Sequence, residues 1–455
     1  MSIDSREARL LEEAVAVLAS GFDRLPPAAE RVDPERVRAA LREAALRLHD
    51  NYPYHHPLYI GQMLKPPHPV ARLAYALAMF LNPNNHALDG GRASSALEKE
   101  AVAQLARMFG WDEHLGHLCG GGTMANFEAL WIARELAPGK AVAASAQAHY
   151  THSRLSSVLG VPFVAVDSDA RGRMDMRALD DVLARGDVGT VVATLGTTAM
   201  GSVDPLEEIL VRARACGARV HVDAAYGGYF TLAENLGAAA RAAFDAIGGA
   251  DSIVVDPHKH GLQPYGCGCV LYRDPAVGRF YRHDSPYTYF TSDELHLGEI
   301  SLECSRPGAS AVALWTTMRM LPPERGGEFA RGLEAGREGA LALCAALRRD
   351  ARFAPVLEPE LDIVVFAVRA RTAGEASARA HAVFAAAARS DLHLALITLP
   401  RAMAAPAAPV DSWDADDIVC LRACVMKPAH LEWMPELLKR LGEAAASAQA
   451  ADPAR

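Results

Sequence analysis

A lysine flanked by two histidines follows a hydrophobic run in SIVVDPHKHG, residues 252–261. Residues 252–255 have the composition of a buried strand, and Lys259 stands just beyond its polar end. A lysine in such a place can be partly desolvated, which lowers its pKa and allows it to form a Schiff base with a carbonyl compound. Most lysines are solvated surface residues, so a catalytic role for Lys259 depends on the motifs around it.

An acidic residue ends the preceding strand pattern, in HVDAAYGG. The interval between Asp223 and Lys259 accommodates one helix and one strand, so both residues can reach neighbouring strand ends at one sheet edge. Asp223 could cap a helix or form a surface ion pair. It could also keep the pyridine nitrogen of pyridoxal phosphate protonated, which that cofactor needs in order to act as an electron sink. The small side chain of Ala225 would let a flat ring lie close to the backbone.

Two further motifs are compatible with a phosphorylated, planar cofactor. LCGGGTMANFEAL, residues 118–130, places three glycines and Thr123 directly before a helical pattern, and the first N–H groups of a helix bind phosphate well. A glycine run by itself also serves any tight turn. His149 follows the strand pattern AVAAS, where a histidine is commonly structural, but an imidazole stacked on a pyridine ring would need the same position.

Strand and helix patterns alternate between residues 94 and 274, which predicts an α/β fold with a mostly parallel or mixed sheet buried on both faces. Beyond Trp315, a long alanine-rich helix and three further strand patterns predict a smaller α+β domain. We therefore expect an N-terminal helical segment (1–65), a large domain (66–320) and a small C-terminal domain (321–455), with a fraying tail from residue 442. The strand candidates are 141–145, 162–168, 190–196, 219–225, 252–256, 267–273, 361–368, 394–400 and 416–426.

The composition is that of a soluble globular protein, with 51% hydrophobic residues, a net charge of -9 and eight cysteines. This acidic balance argues against a nucleic-acid partner, which would require a basic surface. The N-terminus lacks the pattern of a signal peptide, and apolar runs such as residues 73–81 are too short for a membrane helix. The cysteines form no pair of C-x-x-C motifs, so neither a structural metal site nor disulfides are expected. We expect a cytoplasmic protein.

Five motifs in this order, GGGTMAN, SAQAH, ATLGTTAMGSVDPL, HVDAAYGG and DPHKHG, resemble those of the pyridoxal-phosphate-dependent group II amino acid decarboxylases. The resemblance spans about Pro57 to Pro428. It implies a large domain of the pyridoxal-phosphate-dependent transferase type, as in aspartate aminotransferase, and a homodimer with active sites at its interface. It also implies that a small-molecule L-amino acid is converted to its amine and CO2.

The resemblance assigns roles to individual residues. Lys259 would bind pyridoxal 5′-phosphate covalently, Asp223 would pair with its ring nitrogen, and His149 would stack on its ring. Ala225 would pack beneath the ring. The residues expected near the phosphate or neighbouring cofactor atoms are Gly122, Thr123, Thr198 and His258.

Substrate recognition and reaction type are less defined. The segment 285–308 matches the place of the family's catalytic loop, where Tyr287 or Tyr289 could protonate the substrate carbon. Arg306, in SRPG, is a candidate substrate residue. It also resembles the sphingosine-phosphate-type lyases, so a C–C lyase is an alternative. An aminotransferase is another, and Arg422 is then the candidate for gripping the substrate carboxylate. Where the family builds its substrate pocket, this sequence has polar residues that hint at a polar or acidic substrate: Gln62, Asn85 and His86.

Overall fold

The structure is a computed structural model that describes residues 5–26, 32–282 and 295–450. Its helices are α1 (Ser5–Ser20), α2 (Pro34–Arg47), α3 (Pro69–Met79), α4 (Leu88–Met108), α5 (Gly122–Leu136), α6 (Thr151–Leu159), α7 (Met176–Leu183), α8 (Leu206–Ala215), α9 (Ala238–Asp245), α10 (Gly308–Met320), α11 (Glu328–Arg349), α12 (Ala373–Arg389), α13 (Arg401–Ala404), α14 (Ala429–Glu432) and α15 (Met434–Ala450). Its strands are β1 (Leu115–Cys119), β2 (Ala141–Ser145), β3 (Phe163–Val166), β4 (Val188–Thr194), β5 (Arg219–Asp223), β6 (Ser252–Val255), β7 (Gly268–Tyr272), β8 (Phe353–Pro355), β9 (Ile363–Val368), β10 (Ala370–Thr372), β11 (Ala395–Pro400), β12 (Val410–Ser412) and β13 (Asp417–Cys424).

A seven-stranded sheet forms the centre of the molecule, in the order β1-β7-β6-β5-β4-β2-β3. The strands from β3 to β6 pair in parallel, whereas β7 is antiparallel to both β6 and β1. Every residue of β4 and β6 is buried, as expected for strands that are covered by helices on both faces. The predicted α/β class with a mostly parallel mixed sheet is therefore confirmed.

The strand order brings the polar strand ends together at one edge of this sheet. β5 and β6 are neighbours, and Asp223 at the end of β5 is in register with Val254 in β6. β1, which the sequence did not predict, runs in the same direction as β6 because both pair antiparallel with β7. Its carboxyl end, and the glycine run that follows it, therefore reach the same edge. Ligands bind at such an edge in open α/β sheets.

The C-terminal part has its own antiparallel sheet, in the order β11-β13-β9-β8, and a short parallel pair of β10 and β12. A second apolar core lies between this four-stranded sheet and helices α11, α12 and α15. The predicted smaller α+β part is confirmed. The expected fraying from residue 442 is wrong up to Ala450, because α15 continues to that residue and buries Ala444 and Ala445 against its core.

The N-terminal helices lie on the outside of the described subunit. α1 is tied to α3 by an ion pair between Glu7 and Arg72, whose charged atoms are 3.0 Å apart. In the described part of the chain, no residue of α2 is buried, although Val37, Leu41 and Leu46 are apolar and exposed. None of the described helices combines the length and the hydropathy needed to cross a membrane.

Candidate active site

The carboxyl ends of the strands surround a cavity of about 700 Å³. Gly122 and Thr123 begin α5 on one side, and the loops after β2, β4, β5 and β6 form the rest of the wall. The sequence-predicted cofactor residues all line this one cavity: Gly122, Thr123, His149, Thr198, Asp223, Ala225, His258 and Lys259. Their placement brings an amine, a carboxylate, an imidazole and a helix N-terminus to a common space.

Lys259 forms an ion pair with a carboxylate that the sequence reasoning did not select. Its Nζ lies 3.1 Å from Oδ2 of Asp256, which is buried at the end of β6. Nε2 of His258 lies 3.6 Å from the same oxygen. Burial lowers the pKa of His258 and outweighs the opposing effect of Asp256, while the positive charge of Lys259 lowers it further. A neutral His258 is therefore next to a charged lysine–aspartate pair.

The glycine turn leaves the N-terminus of α5 open to the cavity. Gly121 has a φ of +144°, and no side chain caps the helix that begins at Gly122. A Cβ atom at Gly122 would lie 2.7 Å from Oδ2 of Asp256, and one at Gly121 would lie 3.1 Å from Cε1 of His258. Only glycine therefore fits this turn, and the uncapped N–H groups can donate hydrogen bonds to an anion.

Asp223 is buried within a network of hydrogen-bond donors. Its Oδ2 lies 2.8 Å from Nε2 of His152 and accepts from Nδ2 of Asn126 at 3.4 Å. Its Oδ1 accepts from the backbone N–H of Ala225 at 3.1 Å. Burial alone would raise the pKa of Asp223, but the hydrogen bond from His152 and the positive charge of Lys259 outweigh it and hold the pKa well below its usual range. The side chain is thus an anion in the wall of the cavity.

His149 is half-buried beside this network, and its Nδ1 accepts from the backbone N–H of Thr151 at 3.2 Å. Burial lowers the pKa of His149, and although Asp223 opposes this effect, Lys259 adds to it. The ring is therefore neutral near pH 7. A neutral imidazole can lie against an aromatic ring without placing a second cation beside Lys259.

An adjoining cleft of about 360 Å³ shares His149 and Thr198 with the main cavity and is also lined by Gln62 and Arg422. The guanidinium of Arg422 donates to the carbonyl oxygens of Thr198 at 2.7 Å and Ala199 at 3.1 Å. Arg422 therefore holds the loop after β4 in place. Gln62 is an exposed residue of this cleft and does not line the main cavity.

The other substrate candidates lie elsewhere in the described subunit. Asn85 and Arg306 both bind the buried carboxylate of Glu98, with Nδ2 of Asn85 at 2.6 Å and NH1 of Arg306 at 3.0 Å. A buried carboxylate needs such partners. These two side chains therefore stabilise Glu98 and do not line the cavity. The ring of His86 faces Gly298. Tyr287 and Tyr289 lie outside the described residues.

Three polar residues of the site escaped the sequence reasoning: Asn126, His152 and Asp256. A signal existed for two of them. His152 follows His149 by three residues at the start of α6, so that both can face the strand ends, and Asp256 precedes Lys259 by three residues in the same motif. Asn126 carried no comparable signal, because its contact with Asp223 joins two distant parts of the chain.

These residues fit pyridoxal 5′-phosphate. The uncapped start of α5 suits its phosphate, the anionic Asp223 suits a protonated ring nitrogen, and the amine of Lys259 suits its aldehyde. The cavity of about 700 Å³ is large enough to hold the cofactor together with a small substrate.

Comparison with known proteins supports the same cofactor. Residues 70–369 match the family described as the pyridoxal-dependent decarboxylase conserved domain. The probable L-tyrosine/L-aspartate decarboxylase of Methanothermobacter thermautotrophicus is 29% identical over 316 residues, covering 68% of this chain and 82% of that protein. The probable L-aspartate decarboxylase of Halobacterium salinarum is 32% identical over 308 residues, covering 67% of this chain and 81% of that protein.

Solved structures share the fold along nearly the whole chain. The crystal structure of mouse CSAD has a TM-score of 0.76 at 21% identity and covers 97% of this chain and 92% of that chain. The structure of Oryza sativa TDC with PLP and tryptamine has a TM-score of 0.77 at 18% identity, with coverages of 97% and 99%. With the sequence match to the family, these findings establish that the chain belongs to the pyridoxal-dependent decarboxylases and is a carboxy-lyase that acts on an L-amino acid with pyridoxal 5′-phosphate as its cofactor.

Proposed function

We propose that the amino acid decarboxylated by this enzyme carries a polar or acidic side chain, and that L-aspartate is among its substrates. The observation that carries the catalytic part of this proposal is the placement of the Lys259 amine and the buried Asp223 carboxylate in one cavity. Gln62 in the adjoining cleft, and the names of the relatives from Methanothermobacter and Halobacterium, support the choice of substrate.

Lys259 would hold the cofactor covalently through its side-chain amine. Bound pyridoxal phosphate supplies the electron sink that receives the electron pair left behind when CO2 departs. Asp223 would hold the proton at the ring nitrogen through a charge-assisted hydrogen bond. Asp256 would hold the ammonium form of Lys259 through the oxygen that lies 3.1 Å from Nζ.

Other residues of the cavity orient the cofactor and shield the reacting carbon from water. The phosphate would be held by the N–H groups at the start of α5, the hydroxyl of Thr123 and the ring of His258. Ala225 would pack against the cofactor ring, and the neutral ring of His149 would stack on it. Thr198 adds a contact from the loop after β4, which Arg422 holds in place.

The direct test is a panel of L-amino acids, with release of CO2 and formation of the amine measured together. We expect equal amounts of both products from L-aspartate or another polar amino acid, and none from the Lys259→Ala variant. Lys140→Ala is the matched control, because Lys140 is exposed and donates to the carbonyl of Gly186, far from the cavity. A keto acid without CO2 would contradict the proposal.

We also propose that the enzyme works as a homodimer. Val37, Leu41 and Leu46 leave α2 with an exposed apolar surface in the described subunit, and a second copy of the chain could bury it. Light scattering should give twice the subunit mass, and Leu41→Glu should shift it toward the monomer. A monomeric wild-type enzyme at micromolar concentration would refute the dimer.

The cysteines support a reducing compartment for the enzyme, which we propose is the cytoplasm. All eight are free thiols, and Cys216 and Cys304 are exposed; disulfides persist in oxidising compartments instead. Fractionation of the source cells, with detection of the enzyme in the cytoplasmic fraction, tests this assignment.

A further inference from the structure

We propose that His152 is a positioning residue that sets the hydrogen-bonding state of Asp223 and so keeps the cofactor's proton on the ring nitrogen. This inference rests on the proposed pairing of Asp223 with that nitrogen. His152 would act through the carboxylate, without contact with the cofactor.

The surroundings of His152 are unusual for a buried histidine. Its ring lies in the first turn of α6 and is fully buried. Nε2 lies 2.8 Å from Oδ2 of Asp223, while Nδ1 has no hydrogen-bond partner among the described residues. Buried polar atoms generally have hydrogen-bond partners. Because Nδ1 has none and Nε2 contacts Asp223, we infer that the function of this ring is to bind that carboxylate.

A second chain of hydrogen bonds delivers another donor to the same oxygen. Burial lowers the pKa of His221 to about 3, so this ring is neutral. Its Nδ1 lies 2.8 Å from the hydroxyl of Ser252 and its Nε2 lies 2.9 Å from Oδ1 of Asn126. Because Oδ1 of Asn126 can only accept, Nε2 of His221 carries the proton, and the amide group of Asn126 is turned so that Nδ2 donates to Asp223.

The two side-chain donors therefore converge on Oδ2, while among the described residues Oδ1 receives only the backbone N–H of Ala225. Oδ1 retains a lone pair for the ring N–H of the cofactor. Hydrogen bonds to the charged form of a carboxylate lower its affinity for a proton. When Asp223 and the ring nitrogen compete for one proton, the donors on Oδ2 therefore keep that proton on nitrogen, where it supports the electron sink.

A purely structural role for His152 would weaken the binding of any cofactor-shaped ligand equally. The discriminating probe is a cofactor analogue in which carbon replaces the ring nitrogen, so that it offers Asp223 no N–H. Apoenzymes of the wild type, His152→Leu and His152→Gln are titrated with pyridoxal phosphate and with this analogue, and the dissociation constants are compared. The amide nitrogen of glutamine can reach the position of Nε2, whereas leucine offers no donor.

We expect the wild type to bind pyridoxal phosphate more tightly than the analogue. His152→Leu should raise the dissociation constant of pyridoxal phosphate about tenfold, or ~1.4 kcal/mol. It should raise the dissociation constant of the analogue by less than about twofold. His152→Gln should restore most of the loss. If His152→Leu fails to fold, His152→Asn replaces it, because the asparagine amide falls short of Nε2.

Equal losses for both ligands, or no rescue by glutamine, would overturn the role of His152. A wild-type enzyme that binds both ligands equally would instead refute the pairing of Asp223 with the ring nitrogen, and the inference with it. The experiment thus separates a failure of this inference from a failure of the proposed site.

Discussion

Replacing Asp223 by asparagine should impair both catalysis and stability, for reasons that the hydrogen bonds of the site make separable. Oδ2 accepts from His152 at 2.8 Å and Oδ1 accepts from Ala225 at 3.1 Å. An asparagine amide has only one oxygen, so in either orientation its NH2 group faces a donor. If His152 shifts its proton to Nδ1, that proton has no partner among the described residues. One buried N–H is then unpaired, at a cost of about 1–3 kcal/mol.

The catalytic loss is larger. Asparagine carries no charge and cannot stabilise a protonated ring nitrogen, so the electron sink weakens as the substrate carboxylate leaves. Losing one such electrostatic contact in a preorganised site costs about 2.7–4 kcal/mol of barrier, a factor of about 10²–10³ in kcat. The assay is the release of CO2 at saturating substrate and cofactor, with unfolding followed separately in urea.

Asp204→Asn provides a matched control. Asp204 is also fully buried, and its two oxygens accept from the backbone N–H groups of Met174 at 2.7 Å and Thr194 at 2.8 Å. We expect a loss of stability of the same order with kcat within a fewfold of wild type. Near-normal kcat in Asp223→Asn, together with a stability loss like that of Asp204→Asn, would refute the catalytic role of Asp223.

The pH dependence of stability follows from the depressed pKa of Asp223. A carboxylate whose pKa is lower in the folded than in the unfolded protein stabilises the fold above the unfolded pKa of about 3.9. The stability difference between wild type and Asp223→Asn should therefore be constant from about pH 8 to pH 5. It should shrink as the pH falls below about 4.

Three further outcomes are expected. Borohydride reduction should fix the cofactor on the peptide that contains Lys259, and labelling of another lysine would contradict the assignment. Gly122→Ala should weaken cofactor binding at least about tenfold because its Cβ would lie 2.7 Å from Oδ2 of Asp256; an unchanged dissociation constant would show that the turn can yield. Arg306→Met should lower the free energy of unfolding by about 3–5 kcal/mol by leaving Glu98 without its ion-pair partner, and the double variant with Glu98→Gln should recover part of this loss in the same urea titration. A loss of substrate affinity at full stability would instead give Arg306 a role in binding.

Local patterns in the sequence were sufficient for much of the fold. The six strand candidates between residues 141 and 273 each overlap a strand of the large sheet, because short β-branched runs separated by helical periods are a property of neighbouring residues. β1 was missed, since LGHLC is a strand only through its pairing with β7. The domain division at residues 65 and 320 stays a prediction.

The sequence by itself also determined which residues could hold the cofactor, because Lys259, Asp223 and the glycine run stand in motifs of characteristic composition. The tertiary structure alone decided which polar groups form hydrogen bonds with these residues. The sheet order places β4 between β5 and β2 and brings α5 and α6 against the end of β5, so that Asn126 and His152 reach Asp223 across large separations in sequence. The fold also places Asn85 and Arg306 beside Glu98, because a buried carboxylate must be paired and hydrogen-bonded.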